Sequence, residues 1–322
     1  MRRVLALAIL AALFVSCEDV KTPEDQNFIP TGVYFNYGNE FTRTSVTSDG
    51  TKSSFLWAKG DKIGISCAES SVTNKETAVA DEFAGKNRAS IQTGIEFNGN
   101  YTDHTFNLYY PYKASSSTYP VTTTSVRHTL LTSQNGKIGA NDFMWDQITT
   151  TKSSPTVSSE MKHPFAYIRF YIVDTNDDKP TIKGKEVSAI TMSADGTLAG
   201  DFTADFNNFD KNEVTFAGAL SKSVTLTAKT TVLTKAEYST ATKNIPDDYP
   251  VMIINPNGVG ASFDASVQIA GMAPQNTTFN MGNRKFEANN FYNIGLGGSF
   301  KDGKLTFTVI AWEQVTANVT FN

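Results

Sequence analysis

Phe165-Ala166-Tyr167-Ile168-Arg169-Phe170-Tyr171-Ile172-Val173 reads as a long β-strand. Successive strand side chains point to opposite faces, so Phe165, Tyr167 and Tyr171 would share one face and Ile168, Phe170 and Ile172 the other. The run stops at Asp174-Thr175-Asn176-Asp177-Asp178-Lys179-Pro180, a stretch dense in turn formers. Upstream, Val33, Phe35 and Tyr37 alternate with Tyr34 and Asn36, Lys62 to Ser66 follows the turn Lys59-Gly60-Asp61, and Phe106 to Tyr110 ends at Pro111. Downstream, strand-like runs recur at Val187 to Met192, Leu198 to Phe202, Val214 to Phe216, Val224 to Leu226, Tyr249 to Asn255, Phe263 to Ile269, Tyr292 to Leu296, Leu305 to Ile310 and Val315 to Phe321. Helical periodicity is scarce. Thr234 to Lys243 suits a short helix, with Thr234 as N-cap and Glu237 closing a capping box, and Lys75 to Phe83 is a weaker candidate. Many short strands at near-regular spacing predict an all-β chain built of β-sandwiches. The expected division is residues 1–16 as a signal, 17–30 as a tether, 31–175 as a first sandwich domain and 176–322 as a second.

Composition agrees with half-buried strands: 22 Phe and 12 Tyr, 40% hydrophobic and only 19% charged residues. A formal net charge of -4 gives no basic face for nucleic acid. The start of the chain is different in kind. Arg2 and Arg3 precede an apolar run from Val4 to Val15, followed by Ser16 and Cys17. That run is shorter than the roughly 20 residues a membrane-spanning helix needs and has the layout of a secretory signal. A small residue followed at once by cysteine is the layout of a bacterial lipoprotein signal, with Phe14 where Leu is usual. Cys17 would then become an acylated N-terminus. An ordinary signal peptide with a cysteine nearby is the alternative. Glu18 and Asp19 resemble the surface-export signal of lipoproteins in Bacteroidia. Cys67, the other cysteine, reads as a buried strand residue.

A series of pieces resembles the fimbrillin family, the type V pilins of Bacteroidia and their Mfa-like relatives. They are Thr42-Arg43, Phe55-Leu56-Trp57-Ala58-Lys59-Gly60-Asp61-Lys62-Ile63-Gly64, Phe106-Asn107-Leu108-Tyr109-Tyr110-Pro111-Tyr112, Asp142-Phe143-Met144-Trp145, His163-Pro164-Phe165-Ala166, Asn290-Phe291-Tyr292 and Ile310-Ala311-Trp312. The resemblance implies two tandem transthyretin-like sandwiches with few short helices. It implies a non-enzymatic, structural and adhesive pilus subunit that needs no cofactor. It also implies a lipoprotein precursor held on the outer membrane by its lipid anchor, trimmed by a trypsin-like protease after a basic residue, and joined head-to-tail to other pilin subunits at the cell surface.

Assembly of that kind needs a strand that leaves and a strand that is donated, because an incomplete sandwich exposes unpaired backbone and a hydrophobic groove. Val33, Phe35 and Tyr37 are the candidate displaced strand. Arg43 lies just beyond, among small polar residues of the sort where loops are nicked, and Lys52 is a competing cut site. Val315, Ala317, Val319 and Phe321 alternate with polar residues and are the candidate donor strand, or equally the last strand of the chain's own second domain.

Other constellations point to less. His104, His128 and His163 show no metal-ligand spacing. Asp174, Asn176 and Asp178 imitate the start of a calcium loop, but Lys179 and Lys185 occupy the Gly and Glu positions, so a turn is expected. Gly295, Gly297 and Gly298 read as a bulge or bend, not a phosphate cradle. Tyr109, Tyr110 and Tyr112 form the aromatic run that would serve the alternative function, a monomeric surface lipoprotein binding glycans, although such runs are more often core.

Overall fold

The computed structural model describes residues 34–38, 46–48, 53–86, 88–176, 182–241, 250–301 and 304–315. The chain is all-β, with one short α-helix (Lys235–Ala241) and a few 3-10 turns among the described residues. It is organised around two hydrophobic cores. The smaller core lies between a four-stranded antiparallel sheet and a three-stranded one. The first orders its strands Met144–Thr151, Asp103–Tyr110, Lys62–Cys67 and Val72–Ala78. The second orders them Thr156–Ser159, Tyr34–Gly38 and Arg88–Gln92. Trp57, Ile63, Ile65, Ala89, Ile91, Phe106, Leu108 and Met144 meet inside.

The larger core is enclosed by three further sheets. In one, Ala166–Asp174 lies beside Phe291–Lys301, which pairs in turn with Lys304–Val315. Another runs in the order Gln275–Asn280, Ser262–Ile269, Glu186–Ser193, Ser223–Leu226 and Ser133–Gln134. The third holds Thr215–Ser221, Ala199–Asp205 and Ser125–Leu130.

The strand expected to close the first domain, Ala166–Asp174, pairs in parallel with Phe291–Lys301 and belongs to the second core's sheet. A strand with parallel partners is covered on both faces and reads as a nearly continuous apolar run. Every residue from Ala166 to Asp174 is accordingly buried, Arg169 included, whose guanidinium lies 4.6 Å from the centre of the Phe291 ring. The cores also share a wall. Along Asp103–Tyr110 and Met144–Thr151, Phe106, Leu108, Tyr110 and Met144 enter the smaller core, while Tyr109 and Trp145 enter the larger one. Period-2 alternation thus serves two interiors with one sheet.

Local expectations fare differently. The capping box forms: the Glu237 N–H donates to Thr234 Oγ1 at 3.2 Å, and the Thr234 N–H donates to Glu237 Oε2 at 2.7 Å. Lys75 to Phe83 is not a helix. Its first part completes the Val72–Ala78 strand, which pairs with Lys62–Cys67, and only Asp81–Phe83 turns as 3-10. The glycine bulge is present: Gly295 faces Ala311, Leu296 faces Val309, and Ile310 is the extra residue between them. That bulge lets Lys304–Val315 continue as one strand of 12 residues through Leu305 to Ile310 and on to Val315. The calcium-like turn is an Asp174 anchor. Its carboxylate accepts the N–H groups of Asn176, Ile182 and Lys183 at 2.9 to 3.1 Å. Burial works to raise the Asp174 pKa, but these donations outweigh it and hold the group below the ordinary carboxylate value.

Candidate strand-exchange site

The Tyr34–Gly38 strand occupies the middle of its sheet. On one side it runs antiparallel to Arg88–Gln92, with Phe35 opposite Ile91 and Tyr37 opposite Ala89. On the other it runs parallel to Thr156–Ser159, with Phe35 opposite Val157 and Tyr37 opposite Ser159. Ala89 and Ile91 are both buried in the smaller core, whereas Ser90 and Gln92 are exposed. The strand therefore lies beside a neighbour, Arg88–Gln92, that lines the smaller core.

The two flanking strands are held independently of the central one. Asp146, on Met144–Thr151, accepts the Ser159 hydroxyl at 2.5 Å and the Glu160 N–H at 3.0 Å. Trp145 and Lys162 exchange backbone hydrogen bonds of 3.1 and 2.8 Å just beyond. On the far side, the Trp57 N–H donates to the Lys86 carbonyl and the Gly85 N–H to the Trp57 carbonyl, at 3.0 and 2.8 Å.

Asp146 also gives the site a pH dependence. Burial pushes its carboxyl up to about 6, against the donations from Ser159, Gln147 and Glu160 and the charge of Lys162. The folded value stands above the ordinary 3.8, so between these values the folded chain holds more protons than the unfolded one. Stability then falls as pH rises through that window. Asp201, held below its ordinary value first by the Thr129 hydroxyl and then by Arg127, and Asp174 lose their contributions only at lower pH. We expect melting at pH 5 to exceed that at pH 7, by no more than about 3 kcal/mol in free energy, and Asp146→Asn to flatten the profile. A wild-type profile that rises from pH 5 to 7 would refute this assignment.

Of the residues expected to act in assembly, the structure places three. Phe35 and Tyr37 lie in the central strand. Val315 ends the Lys304–Val315 edge strand, opposite Phe291 of its own sheet. Cys17, Val33, Arg43, Ala317, Val319 and Phe321 lie outside the described residues, as does Lys52. By chain order Arg43 falls between the central strand and the hairpin Val46–Ser48 with Ser53–Phe55. Sequence reasoning missed Asp146 and the parallel partner Thr156–Ser159; the one available signal was an aspartate directly after the apolar Phe143-Met144-Trp145.

The aromatic run does not form a sugar-binding face at Tyr109 and Tyr110. Both are buried, and their hydroxyls donate to Asn74 Oδ1 at 2.7 Å and Asp61 Oδ1 at 3.2 Å. The three histidines do not converge. His104 accepts the Asn98 N–H, His128 packs between Phe143 and Phe202, and His163 sits 3.0 Å from Asp142 Oδ1, which also accepts the Tyr167 hydroxyl. Among the described residues no group of three or more His, Cys, Asp or Glu is placed to hold a metal.

The chain matches the family model described as fimbrillin-like over residues 42–312, and it belongs to that family. No curated protein matches the sequence. Among solved structures, it is similar to a protein from Bacteroides uniformis provisionally described as a cell adhesion protein, with a TM-score of 0.55, 14% identity, and 87% of this chain and 100% of that chain covered. A protein of the same provisional description from Bacteroides ovatus gives a TM-score of 0.52 at 13% identity, covering 87% and 96%. A fimbrial assembly protein from Parabacteroides distasonis gives 0.41 at 12% identity, covering 85% and 97%. The first two share the fold of this chain. Family membership supports a fimbrial subunit at the cell surface.

Proposed function

We propose that this chain is a structural and adhesive fimbrial subunit that polymerises by donor-strand exchange. In this reading it is exported as a lipoprotein precursor acylated at Cys17, held on the outer membrane, and cut after Arg43 by a trypsin-like protease. The cut removes the lipid anchor together with the strand that carries Val33, Phe35 and Tyr37. The tail of a neighbouring subunit, through Val315, Ala317, Val319 and Phe321, takes its place. The contact is head-to-tail and does not close, so it yields a fibre. No catalytic role is part of this reading.

The observation that carries it is the central position of Tyr34–Gly38, with hydrogen-bonded partners on both sides. Withdrawing an edge strand would cost one ladder. Withdrawing this one opens two ladders, one of them along the flanking strand that carries the core residues Ala89 and Ile91, which is the groove an incoming extended segment requires. The tail follows an edge strand that ends at Val315, so supplying it to a neighbour gives up only the terminal Val315–Phe291 step of the chain's own sheet. Val319→Asp tests the donor role: placing a carboxylate in the groove carries a desolvation cost of several kcal/mol. After treatment with a trypsin-like protease, wild type should give heat-resistant ladders on a gel and the variant only folded monomer. Undiminished ladders from the variant would remove the tail from the donor role.

A further inference from the structure

Of the chain's three tryptophans, Trp57 and Trp145 are 1% and 0% exposed, while Trp312 is only half-buried. Trp312 lies on the Lys304–Val315 edge strand, opposite Ile294. Its ring packs on Phe286 at 4.9 Å and on Tyr292 at 5.8 Å between centroids. The Tyr292 hydroxyl accepts the Glu287 N–H at 2.8 Å, and the Arg284 N–H donates to the Met281 carbonyl at 3.0 Å, so the loop between these strands is fastened at both ends. Together Asn283, Arg284, Lys285, Glu287 and Trp312 line a pocket of about 360 Å³. The Arg284 guanidinium carbon lies 5.7 Å from the Trp312 ring centre. Lys285, which is exposed, reaches the half-buried Glu287 at 2.6 Å, and such a surface pair is weak enough to exchange for a ligand.

We propose that this pocket binds a sugar unit bearing a carboxylate, of the uronic acid type. The indole offers an apolar surface to the C–H groups of a pyranose ring. The guanidinium presents paired N–H groups in the geometry a carboxylate accepts. The Asn283 amide both donates to and accepts from hydroxyls. Two cations against one carboxylate favour a single negative charge, and Glu287 opposes a polyanion. A neutral sugar would leave Arg284 without its counter-charge. The site belongs to the sheet of Phe291–Lys301, not to the sheet that holds Tyr34–Gly38; because Trp312 shares its strand with Val315, the site is tested on the unassembled full chain.

Because Trp57 and Trp145 are enclosed, a change in tryptophan emission on ligand binding reports on Trp312. The full chain is titrated with methyl β-glucuronide and with methyl β-glucoside. The glucuronide should give a saturable change with a Kd of about 1 mM, and the glucoside should bind at least about tenfold more weakly. The surface variant Arg284→Ala should weaken glucuronide binding by about tenfold, while Lys229→Ala, which alters an exposed ion pair with Glu186 elsewhere, should leave it unchanged. No saturable change with the glucuronide, an equal response to the glucoside, or undiminished binding in Arg284→Ala would each overturn the assignment.

Discussion

Arg43→Ala should leave the chain whole and monomeric under conditions that convert wild type into ladders. The physical reason is competition. While Tyr34–Gly38 remains covalently joined to its own sandwich, it faces the groove at an effective concentration in the millimolar range, as intramolecular linkage provides. A donor strand from another subunit at about micromolar concentration is outcompeted roughly a thousandfold. Cutting the tether abolishes that advantage, and the released strand is diluted away. The variant therefore removes polymerisation without touching either strand or groove. Gel ladders after protease treatment read the result. If Arg43→Ala polymerises like wild type and Lys52→Ala does not, the cut lies at Lys52; if both polymerise, trimming at this loop is not the trigger.

Gly64→Val should lower stability by about 3 kcal/mol, at the upper end of the cost of overpacking a core. Gly64 sits on Lys62–Cys67 directly opposite Tyr109. A Cβ at this position would lie 2.1 Å from Tyr109 Cε1. A side chain in the way often swings aside, but this one is fixed. Tyr109 is 2% exposed, and its hydroxyl donates to Asn74 Oδ1 while lying 3.0 Å from the Lys113 carbonyl oxygen. Burial pushes the phenol up to about 12, so it stays a hydroxyl donor at any physiological pH. Urea denaturation measures the effect as a lower midpoint. Gly99→Ala, where a Cβ would meet nothing within 4 Å, should leave the midpoint in place. An unchanged midpoint in Gly64→Val would mean that the ring does move.

These positions show what the sequence makes legible. The pairing of Gly64 with Tyr109 gives a physical reason for two of the quoted pieces: a glycine in one strand makes room for an aromatic ring on its neighbour. The capping box was readable because its partners, Thr234 and Glu237, are three residues apart. The glycine bulge was readable because Gly295, Gly297 and Gly298 interrupt a strand pattern within a few residues. What was not readable is non-local. The run Phe165 to Val173 announces a buried strand but not its sheet, because its partner Phe291–Lys301 lies more than a hundred residues away. For that reason the run does not reveal which core its strand joins. Lys75 to Phe83 misled because its helix-like spacing is weak and hairpin pairing with the preceding strand, Lys62–Cys67, overrides it. The alternation of Val33, Phe35 and Tyr37 marked a strand. Its place between Arg88–Gln92 and Thr156–Ser159 depends on two distant pairings that alternation cannot encode.

The energetic contrast between the two chain ends follows from the sheets. Tyr34–Gly38 closes one core from a central position, while Lys304–Val315 lies at an edge of the other. A central strand is costly to lose and rewarding to replace. An edge strand can extend outward without disturbing its neighbours. In the proposed reading, one end is filled and the other fills.

N-terminal sequencing of the subunit recovered from polymer on cells tests the strand-replacement account most directly. The account predicts that polymerised chains begin at Thr44 and lack Tyr34–Gly38, while unassembled precursor retains them. Polymer whose subunits still carry that segment, or begin at acylated Cys17, would contradict it.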